Sequence, residues 1–112
     1  MEGMKMGGWY NKDGKELPVE KAAELLQNPR YKRVAGTDLK DGRWLSTVWL
    51  GMNHRFGDRG RPLIFESMLF GGETNYESLG CWRYSTLEEA QSGHEELVRR
   101  LEVGEDPDAI LL

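Results

Sequence analysis

Apolar positions along this chain switch between helical and alternating spacing, and each stretch implies an element. Trp9 to Leu17 reads as a small hairpin turning at Asp13-Gly14. Val19, Ala22, Ala23 and Leu26 then recur at helical spacing, so a short helix is expected over 18–28. Pro18 suits its first turn, where an N–H is not needed, and Asn28-Pro29 is its expected stop, because the residue before proline avoids the α region. Tyr31–Leu39 and Trp44–Asn53 read as strands around a turn at Lys40-Asp41-Gly42-Arg43. A two-residue turn at Asp41-Gly42 sets Val34 opposite Trp49 and Ala35 opposite Val48. Leu63–Phe70 is a third strand, Glu73–Gly80 a polar irregular stretch, and Cys81–Tyr84 a short edge strand. Leu87, Ala90, His94, Leu97, Val98 and Leu101 line one face of a last helix. A capping box begins that helix, either Ser85 with Glu88 or Thr86 with Glu89, and Gly104 stops it.

The order of elements implies an α+β fold: an antiparallel meander sheet of three to four strands with a short N-terminal helix and a longer C-terminal helix. Residues 1–8 read as a flexible leader without the apolar core of a signal peptide, 9–103 as a single domain, and 104–112 as an acidic then apolar tail. That tail either docks on the body or frays. The two central strands are apolar on both sides. Trp44, Ser46, Val48, Leu50 and Met52 alternate with Leu45, Thr47 and Trp49, and Leu63, Phe65 and Leu69 alternate with Ile64, Glu66, Met68 and Phe70. A sheet covered on one side needs only one such face. The second requires cover from the N-terminal hairpin, the C-terminal tail, a homodimer or another partner.

Composition narrows the class. A chain of 112 residues, 38% hydrophobic, with four tryptophans, closes one core and is neither two-domain nor disordered. A lone cysteine, Cys81, excludes an internal disulfide framework and fits a cytoplasmic setting. No apolar run reaches membrane-spanning length. The formal net charge of −4 conceals a division: residues 1–61 carry 12 Lys/Arg against 8 Asp/Glu, and residues 62–112 carry 3 against 11. The first half is basic and the second acidic: the plain account is two solvated faces with the acidic last helix dominating, and the sharper one is a two-sided particle that docks on a charged partner. The overall acidity disfavours direct nucleic-acid binding.

Chemistry-bearing residues are few. His54, Glu66 and His94 are the available metal or acid–base set, although their spacing matches no local ligand motif. Each also has a structural explanation: His54 capping a loop, Glu66 paired with an arginine of the neighbouring strand, and His94 hydrogen-bonded beside the core. The sequence calls for no cofactor or metal. Residues expected to meet a partner are Arg55, Arg59 and Arg61 in one loop, Trp49 in the sheet, and Glu88, Glu89, Glu95 and Glu96 on the last helix.

Four segments carry a resemblance: Tyr31-Lys32-Arg33-Val34-Ala35, Ser46 to His54, Pro62 to Met68, and Arg83 to Ala90 with Gly93-His94. Together they resemble a group of small proteins of bacteriophages, prophages and some bacteria, over about residues 9–101. An aspartate commonly precedes the first histidine in that group, where this chain has Asn53. The resemblance implies an accessory protein of mobile elements, in the cytoplasm of a bacterial host. Its expected action is to bind a host protein complex, with inhibition of a defence system such as CRISPR–Cas as the leading case. The alternatives are a small enzyme or ligand-binding module using His54, Glu66 and His94, and a self-assembling homodimeric structural protein.

Overall fold

The computed structural model describes residues 8–54, 60–71 and 77–112. Its elements are α1 (Val19–Leu26), α2 (Pro29–Lys32), β1 (Arg33–Asp38), β2 (Trp44–Trp49), β3 (Phe65–Gly71), β4 (Glu77–Tyr84) and α3 (Leu87–Glu102), followed by a 3-10 turn at Pro107–Ala109. The strands form one antiparallel meander in the order β1-β2-β3-β4. With a short helix before the sheet and a longer one after it, the fold is α+β.

Two Lys-Asp-Gly turns share one construction. In the first, the Asn11 N–H donates to the Lys15 carbonyl at 2.8 Å and the Gly14 N–H to the Asn11 carbonyl at 3.0 Å. In the second, the Leu39 N–H donates to the Arg43 carbonyl at 2.7 Å and the Gly42 N–H to the Leu39 carbonyl at 3.1 Å. Gly14 and Gly42 take φ of 83° and 95°, the left-handed conformation that closes a three-residue hairpin loop. A three-residue loop corrects the expected β1–β2 register by one position. Ala35 faces Thr47, Thr37 faces Leu45 and Asp38 faces Trp44, with a bulge between Arg33 and Ala35. The shift turns Thr37 to the side of Leu45 and Thr47, away from the side where a two-residue turn would place it.

Other boundaries also move. Asn28-Pro29 ends α1 but then begins α2: the Asn28 side chain accepts from the Arg30 and Tyr31 N–H groups, and proline stands at the first helical position. The first strand therefore starts at Arg33 rather than Tyr31. The last strand is longer than expected because the polar residues from Glu77 to Gly80 pair with β3 across a bulge. Thr86 and Glu89 form the capping box of α3.

The face of the sheet bearing Leu45, Thr47 and Trp49, Phe65, Ser67 and Leu69, and Trp82 and Tyr84 packs under Ala90, His94, Leu97 and Leu101 of α3. Tyr31 meets the Trp49 ring edge-on at 4.9 Å, and the Trp49 indole N–H donates to the Tyr10 carbonyl at 2.9 Å, which ties in the N-terminal hairpin. At the other end the Trp82 indole N–H donates to the Ile110 carbonyl at 2.9 Å, and Ile110 is buried. The C-terminal tail thus docks at Ile110, while Leu111 and Leu112 are exposed.

Candidate functional site

The interface of α3 with the sheet contains a continuous buried polar chain. Thr37 Oγ1 lies 2.8 Å from His94 Nε2, and Thr47 Oγ1 lies 2.7 Å from His94 Nδ1. Thr47 Oγ1 also shares a short hydrogen bond with Ser67 Oγ, which lies 2.9 Å from the Tyr84 hydroxyl. Thr47 and Ser67 have no exposed surface, and His94 is 4% exposed. Direct opposition of Thr47 and Ser67 across β2 and β3 supplies the central link. Gly93 supplies the clearance, since a Cβ there would fall on the Tyr84 ring.

Proton accounting orients the chain. Tyr84 O–H donates to Ser67, Ser67 O–H to Thr47, and Thr47 O–H to His94 Nδ1, leaving Nε2–H to donate to Thr37. The half-buried Thr37 hydroxyl then directs its own proton outward. The opposite direction strands the Tyr84 proton, which has no second acceptor among the described residues. A proton added at Nδ1 would force the hydroxyl chain to reverse. Burial independently holds His94 below its ordinary pKa, opposed weakly by Glu95. Burial likewise pushes Tyr84 up to about 12. Because α3 seals both central hydroxyls, a substrate has no path to them, and the chain acts as an internal brace.

The three candidate residues for chemistry are not brought to one place. Glu66 alternates with Phe65 and Ser67 along β3, so it projects from the opposite face of the sheet to His94. There the Arg83 Nε–H donates to Glu66 at 3.0 Å, the cross-strand pair expected for it, and the Cys81 thiol donates to the same oxygen at 3.3 Å. Burial and the Glu66 carboxylate push the Cys81 thiol up to about 11. His54 engages the carbonyl of Met52 through Nδ1 at 2.8 Å, a local contact that holds the loop after β2. Among the described residues there is no cluster of His, Cys, Asp and Glu able to hold a metal ion.

The expected partner residues are dispersed. Trp49 is corrected from a surface contact to a core residue: it is fully buried, because the strand alternation places it beneath α3. Arg55 and Arg59 lie outside the described residues. Arg61 donates to Glu89 at 2.8 Å, and Glu89 also accepts from the Ser85 and Thr86 N–H groups, so it serves the start of α3. Glu96 pairs with Arg99, while Glu88 and Glu95 are exposed on α3.

The second apolar face is the surface that these separate settings leave open. Trp44, Ser46 and Val48 of β2 lie beside Phe70, Met68 and Glu66 of β3, and Cys81 and Arg83 of β4 flank them. Trp44 and Phe70 stack at 4.7 Å between ring centroids, 24° from parallel. Among the helices of the described residues, α3 packs on the other side and α2 meets β1 and β2; Trp44, Ser46, Val48, Met68 and Phe70 are half-buried and Glu66 is buried. A groove of about 360 Å³ runs beside α2, lined by Leu26, Pro29, Arg33, Trp44 and Val48 among others. Sequence reasoning identified the doubled apolar character of the sheet but could not say which face the helix takes. No helix among the described residues is long and apolar enough to cross a membrane. No family model matches this chain, and no curated protein or solved structure matches it.

Proposed function

We propose that this chain is a non-catalytic binding protein whose contact surface is the sheet face centred on Trp44, Val48, Met68 and Phe70. The supporting observation is that face itself. Four strands about 4.8 Å apart and six residues rising about 3.3 Å each span roughly 400 Å². That is the extent of the whole face; within it Trp44, Val48, Met68 and Phe70 are half-buried and polar residues adjoin them, and an apolar patch with a polar rim is commonly a site of interaction. The Trp44–Phe70 stack supplies the rigid aromatic anchor that contact surfaces use, and the Glu66–Arg83 pair supplies a polar mark beside it. The sealing of Thr47, Ser67 and His94 beneath α3 favours binding over catalysis. The resemblance to phage proteins makes a host protein complex, such as a CRISPR–Cas effector, the partner class of choice.

The test uses the whole chain as bait in lysate of a bacterial host, beside a Trp44→Glu/Met68→Glu variant. Wild type should retain a stoichiometric protein partner, and the variant should lose it while keeping its helical circular dichroism. Absence of any stoichiometric partner, or its full retention by the variant, refutes the proposal.

A further inference from the structure

The groove beside α2 gathers side chains that the fold leaves uncommitted. It follows β1 and β2 from Asp38 and Trp44, which face each other in the register, to Arg33 and Val48. Four steps along β2, each rising about 3.3 Å, make that course roughly 13 Å long. Its volume of about 360 Å³ is that of a site for one small molecule.

Its walls select the ligand. Phe70 stacks on Trp44 from β3 and takes one face of the indole, and the groove lies on the β1 side, at the other face. A flat ring entering there extends the stack. Lys32 and Arg33 line the groove without an ion-pair partner among the described residues, whereas Arg43, Arg83, Arg99 and Arg100 each meet a carboxylate. The Arg33 guanidinium lies over Gly36, where a side chain would displace it, and so carries its charge to mid-groove. Lys40, exposed beyond Asp38, has no ion pair either. These three cations against Asp38 call for an anion. Asp38 itself is exposed beside Trp44, with neither an ion pair nor a side-chain hydrogen bond among the described residues. A ring stacked on Trp44 therefore meets a carboxylate and must donate to it from its edge. Guanine does so with two adjacent donors, its N1–H and its exocyclic amine, which match the two carboxylate oxygens. Adenine offers one donor beside an acceptor.

We propose that this groove binds a guanine mononucleotide. The base lies on the open face of Trp44 with its two edge donors on Asp38. The sugar follows the strands over Ser46, and the phosphate meets Arg33 and Lys32. This site goes beyond the protein-binding role proposed above and needs no protein partner, so its test stands apart from capture in lysate.

Calorimetric titration of the purified full chain tests this. Guanosine 5′-monophosphate should bind one to one with a dissociation constant below about 1 mM, and roughly tenfold or more tighter than adenosine 5′-monophosphate or inorganic phosphate. Asp38→Ala should remove that preference, so that the two nucleotides bind alike. Lys32→Ala/Arg33→Ala should instead weaken both nucleotides, each by roughly tenfold or more. Both variants change side chains that the fold leaves uncommitted, and their circular dichroism should match wild type. No saturable binding by wild type, equal affinity for the two nucleotides, inorganic phosphate bound as tightly as the guanine nucleotide, or folded variants that bind as wild type does each overturn the proposal.

Discussion

Replacing Thr47 by Val tests whether the buried polar chain braces α3 against the sheet. Valine keeps the branched shape and removes only the hydroxyl, which bonds to both His94 and Ser67. The substitution strands His94 Nδ1 without a donor and the Ser67 hydroxyl without its acceptor, both beneath α3. Each unsatisfied buried group costs about 1–3 kcal/mol, and the new methyl returns part of that, so a net loss of about 2–4 kcal/mol is expected. For a domain of ordinary stability, about 5–15 kcal/mol, that is a large fraction. In urea unfolding it corresponds to a midpoint lowered by about 1–3 M with the slope unchanged. Thr37→Val is the control: Thr37 is half-buried and water can take its place at His94 Nε2, so its cost should stay near 1 kcal/mol or less. Adding Ser67→Ala together with Tyr84→Phe to Thr47→Val should recover part of the loss, because the pair removes both the stranded hydroxyl and the tyrosine donor that depends on it. A Thr47→Val midpoint within error of wild type, or a Thr37→Val loss as large, would refute the bracing role.

The same chain sets a pH dependence. Burial holds folded His94 below its ordinary value of 6.5, so on acidification the unfolded chain takes up this proton first. Stability measured by denaturant midpoint should be level above about pH 6.5 and decline below it until folded His94 also titrates, and His94→Gln should remove that decline. Gly93→Ala should be destabilising by about 1–3 kcal/mol, opposite to the usual gain from alanine in a helix, because the added methyl falls on the Tyr84 ring; thermal unfolding gives the sign directly. Cys81 is exposed, yet its thiol is pushed up to about 11. Iodoacetamide labelling at about pH 8 should therefore run roughly a hundredfold slower in the folded chain than in urea, and Glu66→Gln should speed it.

Much of the fold was legible because periodicity and capping are local. The α3 stripe from Leu87 to Leu101, its Thr86–Glu89 box and the meander of β2 and β3 all follow from neighbouring residues. Errors arose where one local signal has two outcomes. Asn28-Pro29 stops a helix and also begins one, because asparagine caps and proline suits the first turn. Asp41-Gly42 fits a two-residue and a three-residue loop alike, and the choice moves Ala35, Thr37 and Asp38 to the other face, up to the bulge after Arg33. The same shift hides Thr37 as a His94 partner. The recurrence of Lys-Asp-Gly at 12–14 and 40–42 is the sequence signal for the shared three-residue turn.

Which face α3 covers was beyond hydrophobic counting. Leu45, Thr47 and Trp49 are no more apolar as a set than Trp44, Ser46 and Val48, and Phe65, Ser67 and Leu69 are no more so than Phe70 and Met68 beside Glu66. Polar chemistry separates them. The helix stripe carries a histidine at its centre, and a buried imidazole requires partners at both nitrogens. The face with Thr47 opposite Ser67 offers adjoining hydroxyls under that position, and Thr37 adds another from β1. The other face offers a carboxylate already held by Arg83. A helix docked there would bury that charge pair and leave His94 short of partners, at a cost of several kcal/mol. Matching hydroxyls to a histidine thus decides the core side of this sheet, and the Trp44–Phe70 stack is left on its other side.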